Sequence, residues 1–254
     1  MQPKRFLPFI YFFAFLLIIG CKSSGDQAAA DVNPPAPGFN LEASDPAAIA
    51  LADSVMEAMG GRKAWDETRY IKWNFFSNRR HVWDKHTNDV VIEGLREDFL
   101  IKMNLDKMEG SANFHGISYT KNDSLDSYLE RGKSMWINDS YWLLMPYKLK
   151  DSGVTLKYLG KDTTSVGVMS EKLELTFADV GVTPDNKYEI YVDPTSKLVT
   201  QWDFYTNYTD SIPRFKIPWN NYEKHGNILL SGDRGGNRQL VEIAVGDSLA
   251  IYFK

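Results

Sequence analysis

The 254-residue sequence has a single cysteine, Cys21. An internal disulfide is therefore excluded, and so is a zinc ribbon built from several thiolates. Charge of one sign is also scarce. Its 29 Lys and Arg stand against 33 Asp and Glu, a net charge of −4, with no basic block. Such a chain has no electrostatic footprint for nucleic acid and no polybasic patch for anionic headgroups. No Gly-x-Ser-x-Gly elbow and no His-Glu-x-x-His motif occurs, so two common hydrolytic signatures are missing. The glycine-containing run Ser231 to Asn237 lacks a Lys-Ser or Lys-Thr pair and reads as a hairpin loop rather than a phosphate loop. No motif calls for a cofactor.

What is present begins at the N-terminus. Lys4 and Arg5 precede an apolar stretch from Phe6 to Ile19, interrupted by Pro8 and the hydroxyl of Tyr11. That stretch suits a signal peptide and is short for a span of roughly 20 apolar residues. It ends in Leu17-Ile18-Ile19-Gly20-Cys21, which resembles the lipobox of bacterial lipoproteins. The resemblance implies cleavage after Gly20 and acylation of Cys21. Several acyl chains, at ~0.8 kcal/mol per buried methylene, give an anchoring that one chain does not. Residues 1–20 are thus expected to be a leader. Residues 21–45, rich in Ser, Ala, Pro and Gly, are expected to be a lipidated disordered tether. The expected location is the cell envelope, at the outer membrane.

Residues 46–254 read as one β-rich domain. Asp45-Pro46 starts a helix, a capping residue before proline at the first helical position. Ile49, Ala52, Val55, Met56 and Met59 keep helical spacing until Gly60-Gly61 stops it. The period then changes to two, in Ile71-Trp73-Phe75, Phe99-Ile101-Met103-Leu105, Leu173-Leu175-Phe177, Tyr188-Ile190-Val192 and Trp202-Phe204. Val241-Ile243-Val245 and Ile251-Phe253 extend the pattern to the chain end. Turn chemistry separates the runs, as in Lys85 to Asp89 and Asp193 to Ser196. Short turns mean antiparallel pairing, and roughly ten to twelve strands are too many for one flat sheet. The expected fold is mainly β: a strongly curved antiparallel sheet, an incomplete barrel. One substantial helix, at 46–59, covers its concave apolar face.

This order of elements resembles the superfamily of lipoprotein carriers and receptors called LolA and LolB. The resemblance is carried by the N-terminal helix leading into an aromatic first strand, Arg69 to Trp83. The central segment Lys133 to Leu149 and the hairpin Tyr188 to Val199 add to it. It implies a half-barrel with a helical lid and a cavity for acyl chains. A chain with its own anchor departs from the soluble carrier and looks more like the anchored receptor, since a tethered protein cannot ferry cargo by diffusion.

The candidate ligand-binding set is Trp73, Phe75, Phe99, Ile101, Met103, Trp136, Trp142, Phe177, Trp202 and Phe204. Aromatic walls with methionine as an adaptable filler suit an apolar ligand, and the same residues equally suit an ordinary core. His81, Asp84 and His86 carry zinc-ligand or acid–base chemistry. Strand geometry places them on different faces at a polar hairpin end, so they are not expected to converge. His115 and His225 are isolated. Asp-Ser-aliphatic triplets at Asp53, Asp123, Asp210 and Asp247 are similar to O-glycan acceptors of some bacterial envelopes, although turn and cap chemistry explains them as well. The functional expectation is non-covalent, non-enzymatic binding of a lipid or acyl chain by a membrane-anchored protein. The alternatives are a recognition module with a filled core and, further off, a metal-dependent hydrolase. Cys21→Ser is expected to abolish incorporation of labelled palmitate in a bacterial host and to leave the leader attached. A variant still labelled and processed would refute the lipobox.

Overall fold

The computed structural model describes residue 1 and residues 32–121, 123–178 and 183–254. Residues 2–31, which include Cys21, nearly all of the expected leader and the first part of the expected tether, lie outside the described residues. The unit from Val32 to Lys254 opens with α1 (Pro46–Ala58) and α2 (Gly61–Glu67). A first meander follows: β1 (Tyr70–Phe75), β2 (Arg79–Asp84), β3 (Asp89–Gly94), β4 (Phe99–Asn104), β5 (Glu109–Phe114) and β6 (Ile117–Tyr119). Helix α3 (Asp123–Leu144) leads to a second meander: β7 (Val154–Thr163), β8 (Met169–Phe177), β9 (Lys187–Val192), β10 (Val199–Tyr205) and β11 (Phe215–Pro218). β12 (Asn220–His225), β13 (Ile228–Asp233) and β14 (Leu240–Val245) complete the strands.

All pairings named are antiparallel. One sheet has the order β14-β1-β2-β3-β4-β5-β6, another β11-β10-β9-β8-β7, and β12-β13 form a separate hairpin. Neither sheet closes into a barrel, and their inner faces share one apolar core with α1 and α3. The mainly β, antiparallel, unclosed architecture read from the alternation is what the chain adopts.

Several local expectations change. A second substantial helix exists: α3 is 22 residues long. Leu125, Leu129, Gly132, Trp136, Asp139 and Leu143 recur at intervals of three and four in it, the stripe of an amphipathic helix. Its inward stripe includes a carboxylate and a glycine, so apolar counting alone passes over it. Gly132 has a steric reason. A β-carbon there would stand 3.0 Å from the Met103 sulfur and 3.2 Å from Ile101 on β4, so its absence lets α3 approach the sheet. The stretch Arg69 to Trp83 is two strands, because Phe76 and Ser77 take left-handed φ values of 49° and 54° and turn the chain. Ile251 and Phe253 lie in a 3₁₀ turn, Asp247–Phe253, and not in a strand.

The start of α1 is as read, with proline in its first turn. The Asp45 side chain, however, accepts the Tyr158 N–H of β7 at 2.9 Å instead of capping the helix. Residues 36–45, which composition assigned to the tether, run along the β7 edge. The Asn40 and Asp45 amides donate to the Val154 and Leu156 carbonyls, and Phe39 enters the core. This covers part of an edge that would otherwise offer unpaired backbone groups.

Two polar anchors fix α3. Asp139 is 0% exposed. It accepts a forked bond from Arg79 of β2, at 2.7 and 2.9 Å, and a 2.7 Å bond from His81. At the helix C-terminus Arg234, 1% exposed, donates twice to the Trp142 carbonyl, at 3.1 and 2.6 Å. A buried guanidinium there satisfies a carbonyl without a partner in the helix and meets the negative end of the helix dipole. Asp139→Ala would leave Arg79 and His81 facing an empty, dry site. It is expected to lower unfolding stability by about 3 kcal/mol, measured by urea titration. A loss below about 0.5 kcal/mol would show that the carboxylate is not a structural anchor.

Candidate functional site

The five-stranded sheet places side chains in rows across its inner face. One row runs Phe215, Phe204, Tyr188, Leu175 and Leu156 through β11, β10, β9, β8 and β7. The next runs Ile217, Trp202, Ile190, Leu173 and Tyr158. Over this face lies the C-terminal half of α3. Between them is a cavity of about 540 Å³, within the size range of small-molecule sites. Its α3 wall carries Trp136, Tyr141 and Trp142, and its sheet wall carries Phe177, Tyr188, Trp202, Phe204 and Phe215.

All of these rings except Trp136, whose ring contact is with Trp83, touch one another as a continuous surface. Tyr188 stacks on Trp202 at 5.0 Å and Phe204 on Phe215 at 4.7 Å, while Trp142 meets Trp202 edge-on at 5.1 Å. Tyr141 bridges the walls, 5.3 Å from Tyr188 and 6.1 Å from Trp202. Such offset and edge contacts hold aromatic rings in fixed orientations. Lys148 pairs with Asp151, and the lining also includes Asn138, Ser152, Thr183, Asn186, Thr206 and Arg214.

The ten sequence candidates divide evenly. Trp136, Trp142, Phe177, Trp202 and Phe204 line the cavity. Trp73, Phe75, Phe99, Ile101 and Met103 do not; they are buried in the shared core. Trp73 stacks on His81 at 4.8 Å, and Phe99 stacks on Phe114 at 5.2 Å. The reason is topological: these five belong to the seven-stranded sheet, whose inner face is filled. α1 is also core, packed with Ala48, Leu51 and Val55 buried, and contributes no residue to the cavity lining. The helix that covers the site is α3. Tyr141, Tyr188, Phe215 and Arg214 escaped the sequence reading. Tyr188 alternates correctly for an inward position, and its neighbour in register, Phe204, was the available signal.

Three donors in the lining residues are buried without a protein acceptor among the described residues: Trp136 Nε1, Tyr141 Oη and Trp202 Nε1. A buried polar group left unpaired costs about 1–3 kcal/mol. Burial raises the Tyr141 hydroxyl well above its ordinary pKa, with further repulsion from Tyr188 and Asp151, so it stays a neutral O–H donor.

The His81, Asp84 and His86 side chains have separate partners. Asp84 takes a fork from Arg69, at 2.8 and 3.1 Å, and His86 Nε2 lies 2.9 Å from the Asp66 carbonyl. His81 is not at a polar hairpin end. It is 0% exposed, on the inward face of β2, and bonded to Asp139. No cluster of three or more potential metal ligands occurs among the described residues. His225 is partly buried, and His115 is exposed in a turn.

No family model matches the sequence, and no curated protein matches it. Among solved structures, the chain is similar to a DUF1329 family protein from Desulfovibrio piger. The TM-score is 0.44 at 14% identity, over 83% of this chain and 98% of that one. It is also similar to an outer membrane lipoprotein-sorting protein domain from Vibrio parahaemolyticus. There the TM-score is 0.34 at 11% identity, over 79% of this chain and 92% of that one. No described helix is long and apolar enough to cross a membrane.

Burial depresses the His81 pKa below its ordinary value of 6.5, against the raising effect of the Asp139 hydrogen bond and with a further lowering from Arg79. The native imidazole is therefore neutral at pH 7, its Nε2–H donating to the Asp139 carboxylate. An unfolded chain takes up the His81 proton near pH 6.5 while the native state does not. Stability should therefore fall as pH drops from about 7 through 6.5 toward the lower native pKa. His81→Gln should lack that component, so its urea midpoint should converge on the wild-type value between pH 7.5 and 5.5. A constant gap between the two proteins would refute a neutral buried His81.

Proposed function

We propose that this chain is a cell-envelope lipoprotein, anchored through Cys21, that binds a hydrophobic ligand in the cavity between α3 and the five-stranded sheet. It acts by binding rather than by catalysis, in the handling of lipids or lipoproteins. One observation carries this reading: a cavity of about 540 Å³ whose two walls are joined by a connected set of seven aromatic rings, Tyr141, Trp142, Phe177, Tyr188, Trp202, Phe204 and Phe215. A protein interior is normally close-packed. Five of the ten apolar residues picked out from the sequence are indeed packed solid, while the other five surround open volume. The contrast within one core favours a site over an accident of packing.

The energetics suit an acyl chain. About fourteen methylenes buried offer on the order of 10 kcal/mol before the costs of association. The apolar leader ending at Cys21 supports the membrane address, and an anchored binding domain would meet its ligand at the surface that supplies it.

Native mass spectrometry of the mature protein, followed by solvent extraction, tests the reading. A bound species of lipid mass, released by solvent, is the expected result. Phe204→Asp and Phe215→Asp, which place a charge on the partly exposed wall, should remove at least nine-tenths of that species while the circular dichroism spectrum stays unchanged. A clean apo mass with no uptake of added fatty acid or phospholipid would instead mean a recognition module whose cleft serves no lipid.

A further inference from the structure

The cavity is chemically one-sided. Its charged lining residues are Lys148, Asp151 and Arg214. Lys148 and Asp151 neutralise each other in an ion pair. Arg214 is exposed, and among the described residues no carboxylate pairs with it. Its backbone is held in place: the Arg214 N–H donates to the Phe204 carbonyl at 2.7 Å, and the next residue, Phe215, stacks on Phe204. The Arg214 backbone is therefore held where the aromatic wall ends, with its exposed side chain at the cavity rim. The donors Trp136 Nε1, Tyr141 Oη and Trp202 Nε1 belong to lining residues but are themselves covered by protein, with no partner among the described residues. The amide groups of Asn138 and Asn186 donate to Asp139 and Thr183. The lining thus offers a positive charge at Arg214, and its one carboxylate is already engaged.

We infer that the ligand is an anionic amphiphile: an apolar chain against the aromatic wall and a carboxylate or phosphate head at Arg214. This deepens the reading of the cavity as a lipid site and rests on it. A planar, permanently charged guanidinium matches both kinds of oxyanion with paired N–H bonds. A cationic head would be repelled by Arg214 and would find no free carboxylate in the lining. The headgroup would be the selective part of the ligand, and the chain would supply most of the affinity.

The test uses the full-length protein in a fluorinated surfactant and follows tryptophan fluorescence during titration. The probes share a twelve-carbon chain: dodecanoate, dodecyl phosphate, 1-dodecanol and dodecylammonium. At least one of the two anions should bind tenfold or more tighter than 1-dodecanol, with dodecylammonium weakest, and the order of the two anions tells a carboxylate site from a phosphate site. Arg214→Gln, a substitution of an exposed side chain, should erase the anionic advantage and leave 1-dodecanol within twofold of wild type. Equal affinity for all four heads, or an anionic preference that survives Arg214→Gln, overturns this inference while the cavity reading stands. No saturable binding of any probe overturns both.

Discussion

A fully buried carboxylate on a helix is the constraint on which the rest of the arrangement depends. Asp139 loses its water on folding, a change that costs several kcal/mol unless charged or polar partners replace the solvent. Only Arg79 and His81, two residues apart on the inward face of β2, bring donors to it from the sheet. That requirement sets both the rotation and the register of α3. Slipping by one residue would turn the carboxylate about 100° away from its partners. With Asp139 fixed, Trp136 one turn earlier reaches Trp83 of the same strand, at 5.1 Å. Tyr141 and Trp142, just after it, are directed at the second sheet. The anchor to one sheet thus aims the wall that faces the other. Arg234 repeats the principle at the helix end. Its burial pushes the guanidinium pKa down to about 9. The cost is met by carbonyls of Trp142, Ser231 and Asp233 and by the face of Trp219, 3.3 Å away.

The two halves of the core then have different tasks. Beneath α1 and along the seven-stranded sheet, Ile71, Trp73, Ile92 and Ile101 are completely buried, and volume is filled as in any stable domain. Above the five-stranded sheet the same type of residue is used differently. Large rings with only two side-chain torsions each give broad apolar area with little entropy to lose when a ligand settles on them. Their mutual contacts keep them from collapsing into the space between, which is why a cavity can persist in a region so rich in aromatic side chains.

Legibility in the sequence followed the same division. Where a side chain's burial depends only on its own strand's alternation, the reading was sound: the antiparallel β class, the start and end of α1, and the turns at Lys85 to Asp89 and Asp193 to Ser196 are present. Alternation also marked Trp73 and Trp202 as inward with equal clarity, and both are buried. It could not say that Trp73 would meet a filled core and Trp202 an open one, because that depends on which helix lies opposite. α3 was passed over because its inner stripe contains Asp139 and Gly132, a buried carboxylate and a missing side chain. Both are polar or blank by composition, and both are explained only by partners sixty and some thirty positions away, Arg79 and Met103. His81 illustrates the same point. Its neighbours in sequence, Arg80 and Asp84, suggest a polar surface, but its neighbours in space are Trp73 and Asp139.

These constraints also bear on how a ligand would reach the cavity. α3 cannot swing away as a lid without pulling Asp139 from two donors and the Trp142 carbonyl from Arg234, so each opening would expose a buried charge to a site that no longer fits it. α1 is no freer, since its inner face belongs to the common core. The parts of the lining without such ties are at the ends of the strands: Thr183 and Asn186 before β9, and Thr206 and Arg214 on either side of the β10–β11 connection. That connection carries Tyr208 and Ile212, two of the more exposed large apolar side chains of the chain. Low local packing is what permits movement without a large energetic cost. Passage between the strand ends, with α3 standing still, is therefore the route most compatible with the anchors, and it would bring a ligand past Arg214 before its chain meets the aromatic wall.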